Sequence, residues 1–232
     1  MIKKNKRSHD NLYLKDFRYF KNPKFTTLFF FNLIKDKKFK SLMDVGCSNG
    51  SFLQYMSYKL PSKNYLGTDT QKKLLELAKK KNKSIKFIYD DITKSNYKKI
   101  KADIIHCAGV LNIFDNVKNT LTQLIKRCNS KGHIFILHYF NDYDIDYLTR
   151  YRDNVNSKNS QINEMGWNVF SKSSIKKILK NNKKVLKCKF ININFPKNLN
   201  LKKNKKDLMR SWTTTYNKQK YFVNGLNFFN KL

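Results

Sequence analysis

The sequence predicts an α/β domain built on a mostly parallel sheet with helices on both faces. Three observations carry this. Ser41 to Val45 is an apolar run interrupted by Asp44, followed by two glycines and small polar residues, and then by Phe52, Leu53 and Met56 at helical spacing. Short apolar strands and helical segments go on alternating from this point to His138, the pattern of a parallel sheet with covered faces. The strands end on acidic or polar residues (Asp44, Asp69, Asp91, His106), which places them along one edge, where ligands bind in open α/β sheets.

In chain order, Met1 to Asn11 reads as a basic tail and Leu12 to Phe20 as a short helix. After Asn22-Pro23, Phe25 to Leu33 reads as a helix with Phe25, Leu28, Phe29 and Asn32 on one face. Phe39 to Val45 is the first strand and Ser51 to Tyr58 the first helix of the sheet, ended by Pro61. Tyr65 to Thr68 is a short strand stopping on Asp69. A helix follows through Leu74, Leu75, Leu77 and Ala78 and breaks up in the charged run Lys79 to Lys83. Ile85 to Tyr89 and Ala102 to Cys107 are the third and fourth strands. Val117 to Cys128 carries helical spacing, Lys131-Gly132 is a turn, and His133 to His138 is the fifth strand. Beyond it, Tyr139 to Trp167 is irregular. Ser171 to Leu179 is helical with Ser171 or Ser173 as cap, Val185 to Phe195 alternates as a strand, and Tyr221 to Phe229 is a last strand.

Composition limits the function. The chain has 232 residues and a net charge of +33, from 49 Lys and Arg against 16 acids. That balance steers anionic partners at long range. Only Arg7, Arg18, Arg127, Arg150, Arg152 and Arg210 are arginines, however, and the lysines travel with 18 Phe and 13 Tyr. An A/T-rich coding bias explains this spread without a nucleic-acid function, since phosphate and base recognition leans on the Arg fork. The four cysteines (Cys47, Cys107, Cys128, Cys188) show no C-x-x-C spacing, so the expectation is reduced thiols and no metal site. The basic start lacks an apolar segment of the signal-peptide kind, and the most apolar run, Phe25 to Ile34, is about half a membrane span. A soluble cytoplasmic protein is expected.

The chemistry begins at the glycine loop. A ligand across the strand end requires backbone without Cβ beneath it, which Gly46 and Gly50 supply. Asp44 and Asp69, at the ends of adjacent strands, suit a ligand with an ammonium at one end and a diol further along. Asp69 could also cap the following helix. Of Asp90 and Asp91, one caps a turn and the other faces the ligand; Asp91 is favoured because Ile92 can then pack on a ring. A dinucleotide fold wants G-x-G-x-x-G, and Gly46-Cys47-Ser48-Asn49-Gly50 lacks the middle glycine.

The stretch Leu42 to Phe52 resembles motif I of the class I S-adenosylmethionine-dependent methyltransferases at Asp44, Gly46, Cys47, Gly50 and Phe52, and departs at Ser48, where most members have Gly. Tyr65 to Asp69, Phe87 to Ile92, Asp103 to Leu111 and Ile125 to Gly132 resemble that family's following motifs in order, covering Ser41 to His138. The resemblance implies a Rossmann-like, mostly parallel sheet of seven strands with the last antiparallel. It implies S-adenosylmethionine as methyl donor and S-adenosylhomocysteine as product. It assigns cofactor contact to Asp44, Gly46, Cys47, Ser48 and Gly50, to Asp69 and Thr70 at the ribose, to Asp90, Asp91 and Ile92 at the adenine, and to His106 and Cys107 after the fourth strand.

One domain is expected: 1–35 as tail and cap helices, 36–138 as the cofactor half, and 139–232 as the acceptor side. His138 and His106, both at predicted carboxyl edges, are the candidate bases, His138 first; either could instead be a hydrogen-bonded structural histidine. Tyr139, Tyr143, Arg150, Arg152 and Trp167 are the candidate acceptor residues. Glu164 to Leu179 and Trp212 to Leu226 resemble small-molecule methyltransferases of cell-surface sugar pathways, which implies a small anionic acceptor, a phosphorylated metabolite or nucleotide-linked sugar. The alternatives are an RNA methyltransferase and a non-catalytic partner subunit. The sequence fixes neither oligomeric state nor the methylated atom.

Overall fold

A computed structural model describes residues 13–14, 21–94, 100–151, 164–165, 168–193, 211–216, 219–224 and 229–231. The chain divides into two compact units, Leu12–Tyr147 with Asn168–Cys188, and Met1–Asn11 with Leu148–Trp167 and Lys189–Leu232.

The first unit holds a five-stranded sheet. Its elements are α1 (Phe25–Ile34), β1 (Ser41–Val45), α2 (Ser51–Lys59), β2 (Asn64–Asp69), α3 (Lys72–Lys81), β3 (Lys86–Tyr89), β4 (Ala102–Ala108), α4 (Val117–Arg127) and β5 (Cys128–Leu137). The order across the sheet is β3-β2-β1-β4-β5, and every pairing is parallel. All five carboxyl ends therefore share one edge. The order reverses between β1 and β4, which is the switch point where such sheets open a crevice.

The central strands read as continuous apolar runs because both faces are covered: Leu42, Met43, Val45, Ile104, Ile105 and Cys107 are all buried. The helices turn clear apolar stripes onto them, Leu74, Leu75 and Ala78 from α3 and Val117, Leu121 and Leu124 from α4. At the opposite edge Asp103 ties strand starts together. Its carboxylate accepts from Lys40 N (2.8 Å), Ser41 N (3.0 Å) and Asn129 Nδ2 (2.7 Å). These donors, Asn129 foremost, hold its pKa below the usual carboxylate range.

Several expectations are revised. Among the described residues the sheet has five strands where seven were expected. The C-terminal strands β10 (Ser211–Tyr216), β11 (Gln219–Asn224) and β12 (Phe229–Lys231) pair antiparallel with one another in a separate three-stranded sheet of the second unit. α1 buries Thr27, Phe30 and Ile34, while Phe25 and Leu28 are exposed. A helix apolar all round carries no periodicity from which to choose its face. β5 begins at Cys128, because the Lys131-Gly132 turn is absorbed as an irregularity in its pairing with β4. Ile113 and Leu111 close a 3-10 turn after β4. The expected irregular stretch holds β6 (Phe140–Asn141), β7 (Arg150–Tyr151) and β8 (Glu164–Met165). β6 pairs with β9 (Phe170–Ser171) in the first unit, and β7 with β8 in the second. Val185 to Ile193 forms no strand, since Lys187, Lys189 and Asn192 dilute its apolar face. α5 (Lys172–Lys180) is capped by Ser171, whose Oγ accepts from Ser174 N at 3.1 Å. Most of the expected helix at Leu12 to Phe20 lies outside the described residues.

Candidate active site at the carboxyl edge

The loop between β1 and α2 is held left-handed at three positions, Gly46 (φ 76°), Ser48 (φ 53°) and Gly50 (φ 79°). The glycines adopt this freely, whereas a side chain costs roughly 1–2 kcal/mol there. Space decides the same way: a Cβ on Gly46 would collide with Val110 Cγ2, and one on Gly50 would meet Phe87 Cζ at 2.9 Å. The loop is also bonded to the second strand. Gly46 N and Cys47 N both donate to Thr68 O, at 2.8 and 2.9 Å. Ser48 is the irregular position, and its left-handed backbone is fixed because its N–H donates to Asp69 Oδ2 at 2.8 Å.

Asp69 thus serves both readings given to it. Oδ2 anchors the loop, while Oδ1 accepts from Gln71 N (2.8 Å) at the start of α3. A carboxylate has about four lone-pair sites, so two bonds leave capacity for a diol. Burial pushes its pKa up against the pull of these backbone donors. Thr70 beside it is exposed.

Asp44 sits one residue before the end of β1, in register with His106 of β4. The two are 2.7 Å apart, Asp44 Oδ1 to His106 Nδ1, and both are buried. An ionised carboxylate only accepts, so Nδ1 carries the proton. Phe52 stacks on the imidazole with ring centroids 3.9 Å apart, and Phe30 meets it edge-on at 4.6 Å. His106 is therefore a partnered, packed histidine, and Asp44 is already engaged.

At the tip of β3 the two aspartates separate cleanly. Asp90 is buried in a bidentate pair with Arg127, Nη1–Oδ2 2.5 Å and Nη2–Oδ1 3.2 Å. Asp91 is half-buried and caps a turn, accepting from Thr93 N (3.0 Å) and Thr93 Oγ1 (2.6 Å). Asp90 is thus the carboxylate held by Arg127 and Asp91 the one that caps a turn, whereas the sequence favoured Asp91 as the acid without the capping role; Ile92 is buried. Arg127 stood in the sequence as part of a helix-end motif with no partner assigned.

Cys47 and Cys107 are buried, and burial pushes both thiols up, keeping them protonated and unreactive. His138, after β5, packs against Phe140 and Phe170, with centroids 4.9 and 5.8 Å away. Neither ring nitrogen has a partner, and burial lowers its pKa to about 4. It is a neutral imidazole, a weaker base than an ordinary histidine. Tyr139 is also pushed up, to about 12. Tyr143 is exposed, Arg150 lies in β7 of the second unit, and Arg152 and Trp167 lie outside the described residues.

Three contributors were not anticipated. Asn49 is buried; its Oδ1 accepts from Ser51 N and Oγ at 3.2 and 2.8 Å, and its Nδ2 donates to Tyr13 O at 2.8 Å. The signal was present in an Asn two residues before a Ser at a helix start. Asn112 and Asn168, both buried, meet through Asn168 N to Asn112 O at 2.9 Å, a long-range contact with no local signature.

A parallel sheet in this order, a left-handed glycine loop after its first strand and an acid at the tip of the second define a Rossmann-like methyltransferase fold. A family model described as a methyltransferase domain matches residues 16–182, and the chain belongs to that family. No curated protein matches the chain. Among solved structures, the plantazolicin methyltransferase BpumL in complex with SAH is 28% identical over 48% of this chain and 43% of its own, with a TM-score of 0.42. A TehB-like SAM-dependent methyltransferase from Corynebacterium glutamicum is 19% identical over 56% of this chain and 72% of its own, with a TM-score of 0.47. The O-methyltransferase of a trans-AT PKS multienzyme from Brevibacillus brevis, in complex with S-adenosyl-L-homocysteine, is 14% identical over 66% of this chain and 50% of its own, with a TM-score of 0.52, a likeness of fold. The chain spans less than half the length of BpumL.

Proposed function

We propose that the chain is a cytoplasmic enzyme that transfers a methyl group from S-adenosylmethionine to a small acceptor, a phosphorylated metabolite or nucleotide-linked sugar. The observation that carries this is the loop Gly46–Gly50, left-handed at three positions and bonded through Ser48 N to the carboxylate at the tip of β2. The residues fit the donor. Gly46 and Gly50 give the loop its left-handed turns, Asp69 keeps lone pairs for the ribose diol, and Asp91 with Ile92 is proposed to border the adenine position. When bound, S-adenosylmethionine supplies an activated methyl on a sulfonium and leaves as a neutral thioether. The chain's task is then alignment of the acceptor atom and removal of its proton. Asp44, locked to His106, stiffens the floor of the site.

The net charge of +33 favours an anionic acceptor by long-range steering, and Tyr139 and Tyr143 are the residues of the first unit proposed to receive it. Titration of the purified chain with S-adenosylmethionine tests the premise. Saturable binding is expected, weakened at least tenfold in Asp69→Ala; absence of binding, or an unchanged affinity in the variant, removes the site. Label appearing in RNA and not in the metabolite fraction of a lysate would replace the small acceptor with a nucleic acid.

A further inference from the structure

Buried polar atoms in folded proteins nearly always have partners, so the exceptions point to something that binds. Among the described residues, Ser48 Oγ, Asn112 Oδ1 and both ring nitrogens of His138 are buried without one. These three side chains follow β1, β4 and β5, neighbours in the sheet, at its carboxyl edge. The remaining orphans, on Gln54, Asn82 and Thr120, sit in or beside helices.

Asn112 and His138 are joined by one short segment. Asn168 N donates to Asn112 O, and Asn168 Nδ2 donates to Asp115 Oδ1 at 2.9 Å, fixing the turn after β4. Two residues on, Phe170 pairs with Phe140 in the β6–β9 ladder and packs against His138. Asn168 is fully buried and Phe170 nearly so. The segment is a strap across the loops after β4 and β5, bonded to Asn112 at one end and packed on His138 at the other.

Charge narrows what they can bind. The described residues directly after the five strands, 46–50, 70–71, 90–94, 109–116 and 138–139, contain one lysine, Lys94, and no arginine, in a chain with 49 basic residues. They contain Asp90, Asp91 and Asp115, with Asp69 at the tip of β2. The loop residues that carry Ser48, Asn112 and His138 (46–50, 109–116 and 138–139) offer an anionic group no lysine or arginine of their own. The orphan on Asn112 is an acceptor, so its partner donates. An ammonium would be disfavoured by the same apolar surroundings that keep His138 neutral.

Building on the methyl-transfer reading, we infer that Asn112 and His138 hold the uncharged, hydroxyl-bearing end of the acceptor, so that the chain methylates oxygen, and that any anionic part of the acceptor lies away from this edge. Asn112 Oδ1 accepts from a second donor of the acceptor beside the reacting hydroxyl, and the unprotonated ring nitrogen of His138 accepts from the hydroxyl that reacts. The oxygen forms a bond to the methyl carbon, the carbon–sulfur pair stays on the donor sulfur, and the hydroxyl proton passes to His138 and on to solvent. A protonated ether is a far stronger acid than an imidazolium, so even a weak imidazole base accepts that proton late in the reaction.

The test incubates the full chain with S-adenosylmethionine carrying a trideuterated methyl and a small-metabolite extract. The labelled product is identified by mass spectrometry and the methylated atom by NMR. Donor affinity is measured in parallel. A labelled methyl ether is expected. With that product's acceptor, Asn112→Ala raises KM about tenfold, as expected for loss of one buried hydrogen bond, at unchanged donor affinity, and Asn112→Ser partly restores it. A methylamine, thioether or methyl ester product overturns the inference. So does an Asn112→Ala enzyme within twofold of the parent, or donor binding without any labelled product. Failure to bind the donor defeats the methyl-transfer reading instead.

Discussion

Replacing Arg127 with Met leaves the buried Asp90 carboxylate alone. Both side chains are only 3% exposed, and the pair is bidentate at 2.5 and 3.2 Å. At an effective dielectric of about 20, unit charges roughly 4 Å apart attract by about 4 kcal/mol. Breaking one partner out of a buried pair costs ~3–5 kcal/mol by the same reasoning. For a chain of this size that lowers Tm by roughly 10 °C, read by circular dichroism at neutral pH. The loss has a definite pH dependence. Burial holds Asp90's pKa above the ordinary carboxylate value against the pull of Arg127, and without Arg127 it rises further. An acid with a raised folded pKa binds protons more readily when folded, so stability falls as pH rises through that pKa. The Arg127→Met deficit is therefore largest at neutral pH and shrinks toward pH 4. Asp90→Asn combined with Arg127→Met removes the stranded charge and recovers most of the loss. A Tm change under 2 °C, or a double variant no better than the single one, refutes the reasoning.

Three further outcomes follow from the glycine loop and Asp69. Gly46→Ala faces the left-handed penalty and a collision with Val110, together about 2–4 kcal/mol, seen as a lower Tm and lost donor binding; Val110→Ala restores part of the stability. Ser48→Gly relieves the same penalty and removes an orphan hydroxyl, less the entropy a glycine adds to the unfolded chain, so Tm rises by a few degrees with donor affinity retained. Because burial raises the Asp69 pKa, donor affinity measured by calorimetry should fall on acidification at a pH above the ordinary Asp value, and Asp69→Asn should bind weakly with that dependence gone.

The five strands between Ser41 and Leu137 were legible because parallel strands buried on both faces are written as apolar runs. The glycine loop was legible for a similar reason, since left-handed backbone demands particular residues. What could not be read were pairings across distance. Asp90 and Asp91 are chemically alike, and only the arrival of Arg127, 37 residues later, makes one half of an ion pair and leaves the other as a turn cap. For His106 the sequence left a base and a hydrogen-bonded structural histidine both open, and only the distant Asp44 beside Nδ1 selects the second. α1 hid its inward face by being apolar all round. The strap at Asn168 to Phe170 consists of contacts to segments about 30 and 56 residues away, and no local pattern encodes those.

The order β3-β2-β1-β4-β5 also has a consequence for how the chain is made. β1 is synthesised early, yet its second neighbour is β4, and their paired residues Asp44 and His106 lie 62 positions apart. On the ribosome, β1, β2 and β3 can assemble while β1 still presents a bare edge. During that interval Asp44 must be kept in water, because no histidine has yet emerged to bond it. The centre of the sheet between β1 and β4 can dry out only when His106 arrives.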